Sequence, residues 1–449
     1  MSEPSNLINL LLSAVSSQPS AAAGIQATMQ RATEFPSPAH ARLAGIALDP
    51  AGRAAADQIL DTFWADKSRQ DDLLYNTGDT REVIVGSGFH AAAYAAIRVL
   101  SGFDRPLVLE RSDRVGGTFA MTAQPTFYLN SRNRPGGAGL AGDQGASLNR
   151  LPGAPVQAAN VSMAEFQTNA DMAFVIRLAL AQFADVVPGA NVVSVSGDQG
   201  YVQVEIGDRG ECEYGRLIDA RGVGDPIAQK LANGTCLLTF PQFMQRMAGT
   251  WPLRGLRRVA VVGGGDSGKC AVESLLGIAP PPVMAAAALD HVDRIDWYSQ
   301  TIPDTCDEWR DQVRGRYQAI GHYLRPDRFG VQRLAVLDRP AVPVALPDSV
   351  LIEGRTYDLV ILCTGSREVE IDGLAASEFS LYSTADGVPV ARQHVSMPAY
   401  RIGPHAQLPF TDRELADGIA DIPANEVSMF RTAAKTAALA ATLPETAEG

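Results

Sequence analysis

The sequence is poor in the residues that build disulfide frameworks, metal centres and polyanion-binding surfaces. Its 449 residues include five cysteines, Cys212, Cys236, Cys270, Cys306 and Cys363, an odd number with no C-x-x-C pair. A disulfide scaffold is therefore not expected, and the pattern suits a reducing compartment. The six histidines, His40, His90, His291, His322, His394 and His405, form no metal-ligand spacing with the cysteines. Lys plus Arg total 38 against 50 Asp plus Glu, a formal net charge of −12. An acidic surface repels phosphate backbones, so no nucleic-acid partner is expected, although a local basic pocket for a phosphorylated cofactor stays compatible with it. No uncharged apolar run approaches the ~20 residues of a membrane helix, so no membrane partner is expected. Leu7 to Val15 is short, is broken by Asn9 and Ser13, and follows Glu3. It reads poorly as a secretory signal, and the cytoplasm is the expected location. No repeat of solenoid period is present.

Hydrophobic residues at 46% and charged residues at 20% describe an ordinary globular chain, long enough for two or three domains. Residues 1–79 are rich in Ala, Ser and Gln and are interrupted by Pro36 and Pro38, with a helix expected around Gly52 to Trp64. We expect an arm that packs on the main body or on a partner subunit, which leaves room for a homo-oligomer. At Arg81 the texture changes. Glu82 to Val85 reads as a strand, Phe89 to Leu100 as an Ala-rich helix and Pro106 to Glu110 as a second strand. Thr118 to Ser162 is irregular and rich in Gly, Pro and Asn, the texture of a functional loop. Met163 to Ala184 reads as a helix, and Val192 to Ile206 and Glu211 to Ile218 as short strands. A second β-α-β opening runs from Val259 through Leu276 to Ile295–Tyr298. Tyr357 to Leu362 is a further strand, closed by Cys363-Thr364-Gly365, and a last helix is expected from about Glu426 to Leu443.

Gly86-Ser87-Gly88-Phe89-His90-Ala91 is G-x-G-x-x-A between strand and helix. The first glycine permits a tight turn and the second lets the backbone approach a pyrophosphate. The small Ala91 allows close helix packing, and the helix N-terminus attracts the anion. Glu110 lies 22 residues past Gly88 at the end of the next strand, where an acid accepts bonds from ribose hydroxyls. Gly263-Gly264-Gly265-Asp266-Ser267-Gly268 repeats the fingerprint after Val259 to Val262. The same letters nearly form a phosphate loop through Gly268-Lys269, but Cys270 stands where Ser or Thr must hold a hard cation, and the NTPase reading is set aside.

With Arg111-Ser112-Asp113-Arg114-Val115-Gly116-Gly117-Thr118 following Glu110, the sequence resembles flavoproteins with two dinucleotide-binding domains. These include flavin-containing, Baeyer–Villiger and N-hydroxylating monooxygenases. The resemblance, over roughly 80–441, implies an α/β chain with two Rossmann-like domains, to which the residues of 1–79 add an α-helical N-terminal extension. It implies an FAD-binding domain in two parts, 80–235 and 356–449, around an NAD(P)H-binding domain at 236–355. FAD would meet Gly86, Gly88, Phe89, His90, Ala91, Glu110, Arg111, Gly116, Gly117 and Thr118. The nicotinamide cofactor would meet Gly263, Gly265, Asp266, Ser267, Gly268, Ser299 and Gln300. NADPH is favoured over NADH because Ser299-Gln300-Thr301 carry no acid past the second strand, with Arg310, Arg314 and Arg316 as candidate phosphate contacts. Thr364 and Gly365 match the segment where such chains cross between domains. Leu217 to Gly222 is a second such segment, with Arg221 where Thr is usual. Ile402-Gly403-Pro404, followed by a helix from about Asn425, resembles the closing FAD segment, which adds Gly403 to the expected site.

Two features depart from or extend this pattern. The F-x-G-x-x-x-H fingerprint of two of these subfamilies is degenerate here. Gln242 replaces Gly and Arg246 replaces His in Phe240 to Arg246, and Trp251 arrives one residue late. Phe127 to Pro135 follows the Gly-Gly pair and by the family layout passes near the flavin. Asn130, Arg132 and Arg134 are the candidate catalytic residues there, with Ser131, Asn133 and Asn149 as lesser candidates.

The expected function is an FAD-dependent, NAD(P)H-using oxidoreductase, foremost a monooxygenase. By resemblance it would oxygenate a small organic substrate with O2 through a C4a-(hydro)peroxyflavin. A flavin oxidase or dehydrogenase whose second site no longer takes NAD(P)H is one alternative. A non-catalytic nucleotide-binding assembly protein is the other.

Overall fold

Short Val-, Ile- and Leu-rich runs without polar alternation belong to strands covered on both faces, and the runs Val83–Val85, Leu107–Leu109, Val259–Val262 and Leu359–Leu362 enter parallel sheets. The computed structural model describes residues 50–75, 81–132, 166–198, 200–249, 255–280, 283, 292–313, 315–383, 389–393, 397–406, 436, 439, 440 and 443. Helices α1 (Pro50–Ala65) and α2 (Lys67–Tyr75) come first. Then follow β1 (Glu82–Val85), α3 (Phe89–Leu100), β2 (Leu107–Glu110), β3 (Tyr128–Arg132), β4 (Phe166–Thr168), α4 (Asn169–Phe183) and β5 (Asp185–Pro188). A three-stranded meander, β6 (Val192–Asp198), β7 (Tyr201–Ile206) and β8 (Gly210–Tyr214), leads to β9 (Arg216–Asp219) and the two-residue β10 (Asp225–Pro226).

The second half opens with β11 (Leu237–Thr239), α5 (Phe240–Ala248), β12 (Arg258–Val262), α6 (Asp266–Leu276), β13 (Arg294–Tyr298) and α7 (Cys306–Gln312). It continues through β14 (Leu334–Leu337), a meander of β15 (Val344–Ala345), β16 (Val350–Ile352) and β17 (Arg355–Tyr357), then β18 (Leu359–Leu362) and β19 (Ser366–Arg367). The chain then returns to the first sheet with β20 (Phe379–Ser383), β21 (Pro389–Gln393) and β22 (Ala399–Arg401).

The two halves repeat one topology. The first sheet runs β20-β21-β22-β9-β1-β2-β5, parallel from β22 to β5. The second runs β11-β18-β12-β13-β14, parallel throughout. In each, the glycine turn follows a strand flanked by the strand of the next β-α-β step on one side and a later strand on the other. In each, a three-stranded antiparallel meander precedes that later strand. This is a doubled Rossmann-like α/β fold. Asp225–Pro226 pairs antiparallel with Ser366–Arg367 where the chain crosses between the sheets. Because β18 lies in the second sheet, the chain leaves that sheet only after Leu362, later than the expected 356.

Ala91 to Ala96 and Ile97 of α3 are fully buried against α4, where small side chains bring the helices close. Trp64 of α1 enters the same core, so the expected arm helix packs on the main body. Helix α4 starts later than the expected Met163. Thr168 caps it, accepting from Asp171 N at 3.1 Å while Asp171 accepts from Thr168 N at 2.9 Å. The degenerate fingerprint at Phe240 to Arg246 lies on a capped helix. Gln242 accepts from the Thr239 N–H at 2.9 Å, and Phe243, Met244 and Met247 are buried. Trp251 lies outside the described residues. Of the expected C-terminal helix, Thr436, Leu439 and Ala440 are helical and buried, and Arg98 donates to the carbonyls of Ala440 at 3.1 Å and Leu443 at 2.7 Å. The rest of it, like 1–49, lies outside the described residues.

Candidate functional site

The two glycine turns are built alike. The Gly86 N–H donates to the Leu109 carbonyl at 2.8 Å, and the Gly263 N–H to the Tyr298 carbonyl at 2.9 Å. Ala220 N donates to Val85 O at 2.9 Å, and Cys363 N to Val262 O at 2.7 Å. The crossing segments thereby lie against the turns. Gly86 has φ +101°, and a Cβ there would stand 2.7 Å from the Ala220 carbonyl oxygen. Gly263 has φ +116°, and a Cβ would overlap the Cys363 carbonyl. By this correspondence Ser87 matches Gly264, Glu110 matches Ser299 and Ser112 matches Thr301.

In the first turn, Gly88 is the N-cap of α3 and makes no side-chain cap bond. A Cβ on Gly117 would stand 2.7 Å from the Gly88 Cα. Gly88 and Gly117 are thus packed backbone to backbone, and only glycine fits at 117. Glu110 is buried. Its Oε2 accepts from Ser87 N at 3.0 Å and Ser87 Oγ at 2.6 Å, and its Oε1 from Ser112 N at 2.9 Å. Ser112 Oγ lies 2.9 Å from Oε1 and 2.7 Å from the Arg114 carbonyl, so its single proton serves one or the other. Ser87 Oγ also accepts from the Gly116 N–H at 3.0 Å, which ties the Gly-Gly pair to the turn.

Phe89 and His90 are buried with their rings edge to face at 5.4 Å. Gly403, at φ +83°, passes so close that a Cβ would stand 3.3 Å from His90 Nδ1. The C-terminal segment and the first turn therefore meet. Ala91 is buried in the core, and Thr118 is exposed in a 3₁₀ turn over Gly117–Ala120. Arg111 is committed elsewhere: its Nη1 donates to Asp225 Oδ2 at 3.0 Å across to β10. That bond raises the Arg111 pKa and lowers that of the Asp225 carboxyl.

Arg221, unexpected at its position, joins a buried cluster. It donates to both Asp219 oxygens at 2.8 Å and to Glu368 at 2.6 Å, while Arg401 donates to Asp219 at 2.9 Å and to Glu368 at 2.7 Å. The cluster joins β9, β22 and the segment after β19.

In the second turn, Gly265 opens α6, again without a side-chain cap, and Asp266 and Ser267 are its first residues. Asp266 lies 3.5 Å from Lys269. Gly268 packs against the Gly263 carbonyl, which also accepts from the Trp297 indole at 2.8 Å. Ser299 Oγ and Thr301 Oγ1, 3.2 Å apart, sit over Gly264 where a Cβ would overlap both. Gln300 is exposed. The Leu337 carbonyl accepts from the N–H groups of both Ser299 at 3.1 Å and Arg339 at 2.8 Å, which brings Arg339 to the same edge. Thr364 and Gly365 are exposed at the crossing, where Ile227 N donates to Gly365 O at 3.1 Å.

The expected phosphate contacts do not gather there. The Arg316 side chain is buried and ion-paired with Glu273, and it donates to the carbonyls of Tyr128 and of Leu129, the latter at 3.3 Å. It fastens β3 to α6 and is not available to a cofactor. Arg310 pairs with Asp307 at 3.4 Å on an exposed helix, and Arg314 lies outside the described residues. Asn130 and Arg132 lie on β3, with their side chains outside the described residues. Arg134, Ser131's side chain, Asn133 and Asn149 lie outside them too.

Sequence reasoning missed Asn169. Fully buried, it accepts at Oδ1 from the N–H groups of Thr126 at 2.8 Å and Phe127 at 3.2 Å, and its amide donates to Gln124 O at 3.3 Å. It shapes the loop between the Gly-Gly pair and β3. Its position just after the N-cap of an apolar helix was the only signal.

No protein-family model matches the sequence, and no curated protein matches it. Solved structures share its fold. Ornithine N-hydroxylase from Kutzneria sp. 744, solved with reduced FAD, NADP+ and L-ornithine, aligns at 14% identity and TM-score 0.50 over 81% of this chain and 97% of its own. L-lysine 6-monooxygenase from Pseudomonas syringae aligns at 12% identity and TM-score 0.50 over 80% and 98%. The cadaverine monooxygenase of desferrioxamine biosynthesis from Erwinia amylovora, bound to FAD, aligns at 11% identity and TM-score 0.51 over 82% and 93%. At such identities the common property is the fold, and the chain has the architecture of flavoproteins with two dinucleotide-binding domains.

Proposed function

We propose that this protein is an FAD-dependent, NADPH-using oxidoreductase, and within that class a monooxygenase acting with O2 on a small organic substrate. The observation that carries the reading is the pair of matched glycine turns in one chain, with an acid at the key position of the first and a hydroxyl at the second. A carboxylate at Glu110 suits a free ribose diol, as in FAD, and would repel a 2′-phosphate. The neutral Ser299 removes that repulsion and so favours NADPH.

The first turn fits FAD. The start of α3, opened by a glycine N-cap, would turn the positive end of the helix dipole toward a pyrophosphate. Gly88 and Gly117 leave backbone on both sides of the approach. Glu110 regains a free lone pair for a diol whenever Ser112 gives its proton to the Arg114 carbonyl. Bound there, FAD would supply two-electron redox chemistry between the nicotinamide and O2. The chain's own part is to bind and orient. Gly86, Gly88 and Gly117 admit the backbone, Glu110 holds the ribose, and His90 with Gly403 closes the C-terminal segment over the start of α3. Gly263, Gly265 and Gly268 serve the second nucleotide, with Ser299 at its ribose and Arg339, paired with Glu353 at 2.9 Å, at that edge. We assign Asn130, Arg132 and Arg134 to the flavin and substrate side on their position after the Gly-Gly pair. The division of the chain into FAD and NADPH domains, crossing at Asp225–Pro226 and Ser366–Arg367, belongs to the same proposal.

The test is an anaerobic absorbance spectrum of the purified protein before NADPH, after it, and after air. Bound flavin that bleaches with NADPH and returns in air is the expected result. Flavin reduced by a substrate but by neither NADPH nor NADH moves the reading to an oxidase or dehydrogenase. No flavin after reconstitution with FAD overturns it.

A further inference from the structure

We infer that the arm helix α1 is part of the first dinucleotide site, where Asp57 and Asp61 act as positioning residues through Arg177. The inference rests on the FAD reading of that turn, but the contacts that motivate it do not. Asp57, Asp61 and Trp64 fall at i, i+4 and i+7, one face of α1. That face meets Arg177, a lone guanidinium on α4 between the buried Ile176 and Leu178. Arg177 is fully buried. Its Nε lies 2.7 Å from Asp57 Oδ1, and its Nη2 donates to Asp61 Oδ1 at 2.7 Å and to the Asp57 carbonyl at 3.1 Å. The Trp64 ring lies 5.1 Å from the guanidinium carbon.

The remaining bond from Arg177 reaches the glycine segment. Nη1 donates to the Val115 carbonyl at 3.3 Å, and a Cβ on Gly116 would stand 3.6 Å from Arg177 Cγ. Arg114 of the same segment lies 3.8 Å from Asp57 and 3.7 Å from Asp61. Gly116, held at φ +123°, donates to Ser87 Oγ, which donates to Glu110. Direct contacts therefore run from the arm through Arg177 and Val115–Gly116 into the first turn.

Charge makes the link obligatory. A guanidinium stays protonated in a protein, and a buried cation needs counter-charge. Here α1 supplies that charge. Without the two carboxylates Arg177 must turn to water or draw water in, and the Val115–Gly116 backbone loses its fixed position.

The test uses the full chain with D57N/D61N, R177M and the triple variant. Amide hydrogen exchange of the flavin-free proteins and FAD Kd by flavin fluorescence are the readouts. For D57N/D61N, exchange across 114–117 is expected to rise about tenfold while 266–276 stays unchanged, and Kd to rise about tenfold. R177M alone is expected to raise both readouts, and the triple variant to match R177M rather than the sum of the two sets, because the acids act only through the cation that holds the Val115 carbonyl. If the double variant does not fold, D61N alone carries the test with smaller rises in both readouts. Unchanged exchange at 114–117, or effects of the cation and the acids that simply add, overturns the proposal. Exchange needs no flavin, so a wild-type chain that takes up no FAD would count against the flavin reading while the exchange arm still decides the clamp.

Discussion

Glu110 and Ser299 hold the same place in two copies of one turn, each following the residue whose carbonyl accepts from the first glycine. The local hydrogen bonding is conserved as well: Ser112 N donates to Glu110 at 2.9 Å, and Thr301 N donates to Ser299 Oγ at 3.2 Å. What differs is a single negative charge, and on that difference rests the assignment of the phosphorylated nucleotide to the second turn.

Placing the charge there should reverse the preference. Ser299→Asp is expected to lower kcat/KM for NADPH by about ten- to a hundredfold, roughly 1.4–2.8 kcal/mol. NADH should be held or improved, because its 2′-hydroxyl can donate to the new carboxylate. Stopped-flow flavin reduction with each nucleotide measures this. Equal losses with both would mean that Ser299 does not face the ribose.

The Gly88–Gly117 contact separates two costs that a glycine substitution combines. Gly117→Ala adds a Cβ 2.7 Å from backbone at φ +63°. Gly102→Ala adds one at φ +95° with nothing within 4 Å. The second should lose only the conformational term, about 1–2 kcal/mol, and keep its flavin. The first should lose more stability and most flavin binding as well. Denaturant midpoints and flavin content of the two variants decide it, and similar losses in both would show that the close approach carries no cost.

The Asp219–Arg221–Glu368–Arg401 cluster is almost wholly buried, and breaking it strands charge. Arg401→Met should destabilise the fold by about 3–5 kcal/mol. Arg401→Lys should lose less, keeping charge without the fork that spans Asp219 and Glu368. Urea unfolding of both variants is the measurement. A loss below about 1 kcal/mol for the Met variant would place the cluster among pairs screened by water.

These examples show what the sequence made legible. Gly86, Gly117 and Gly263 could be read because close backbone approach at positive φ admits no other residue, so the constraint is written in the residue itself. The strands β1, β2, β12 and β18 could be read because burial on both faces leaves no polar alternation. Long side chains could not be placed this way. Arg316 was expected at a phosphate and is paired with Glu273 inside the molecule, and Arg111 was expected at the cofactor and reaches Asp225. Arg177 depends on Asp57, which lies 120 residues earlier. A guanidinium's partner is chosen by the fold, and local sequence carries no record of it. Helix starts such as Asn169 shifted for a smaller reason, a Thr168 cap that periodicity overlooks.

The buried phenols make a last prediction, about alkaline pH. Burial raises the pKa of Tyr128 to about 12 from an ordinary value of 10.0, and pushes Tyr94, Tyr214, Tyr317 and Tyr357 upward as well. Below pH 10 folded and unfolded chains both hold these protons, and the groups give stability no slope. Between pH 10 and about 12 the folded chain keeps protons that the unfolded chain has released, so stability falls as pH rises. Each such tyrosine contributes a slope of up to about 1.4 kcal/mol per pH unit. Tyr128→Phe should therefore flatten the decline by up to that amount, at a cost at neutral pH of about 1 kcal/mol for the hydrogen bond between its phenol and the Val283 backbone. Phenolate absorbance followed alongside urea unfolding from pH 8 to 12 tests this, and phenolate formation centred at pH 10 in the folded protein, with no loss of stability, would contradict it.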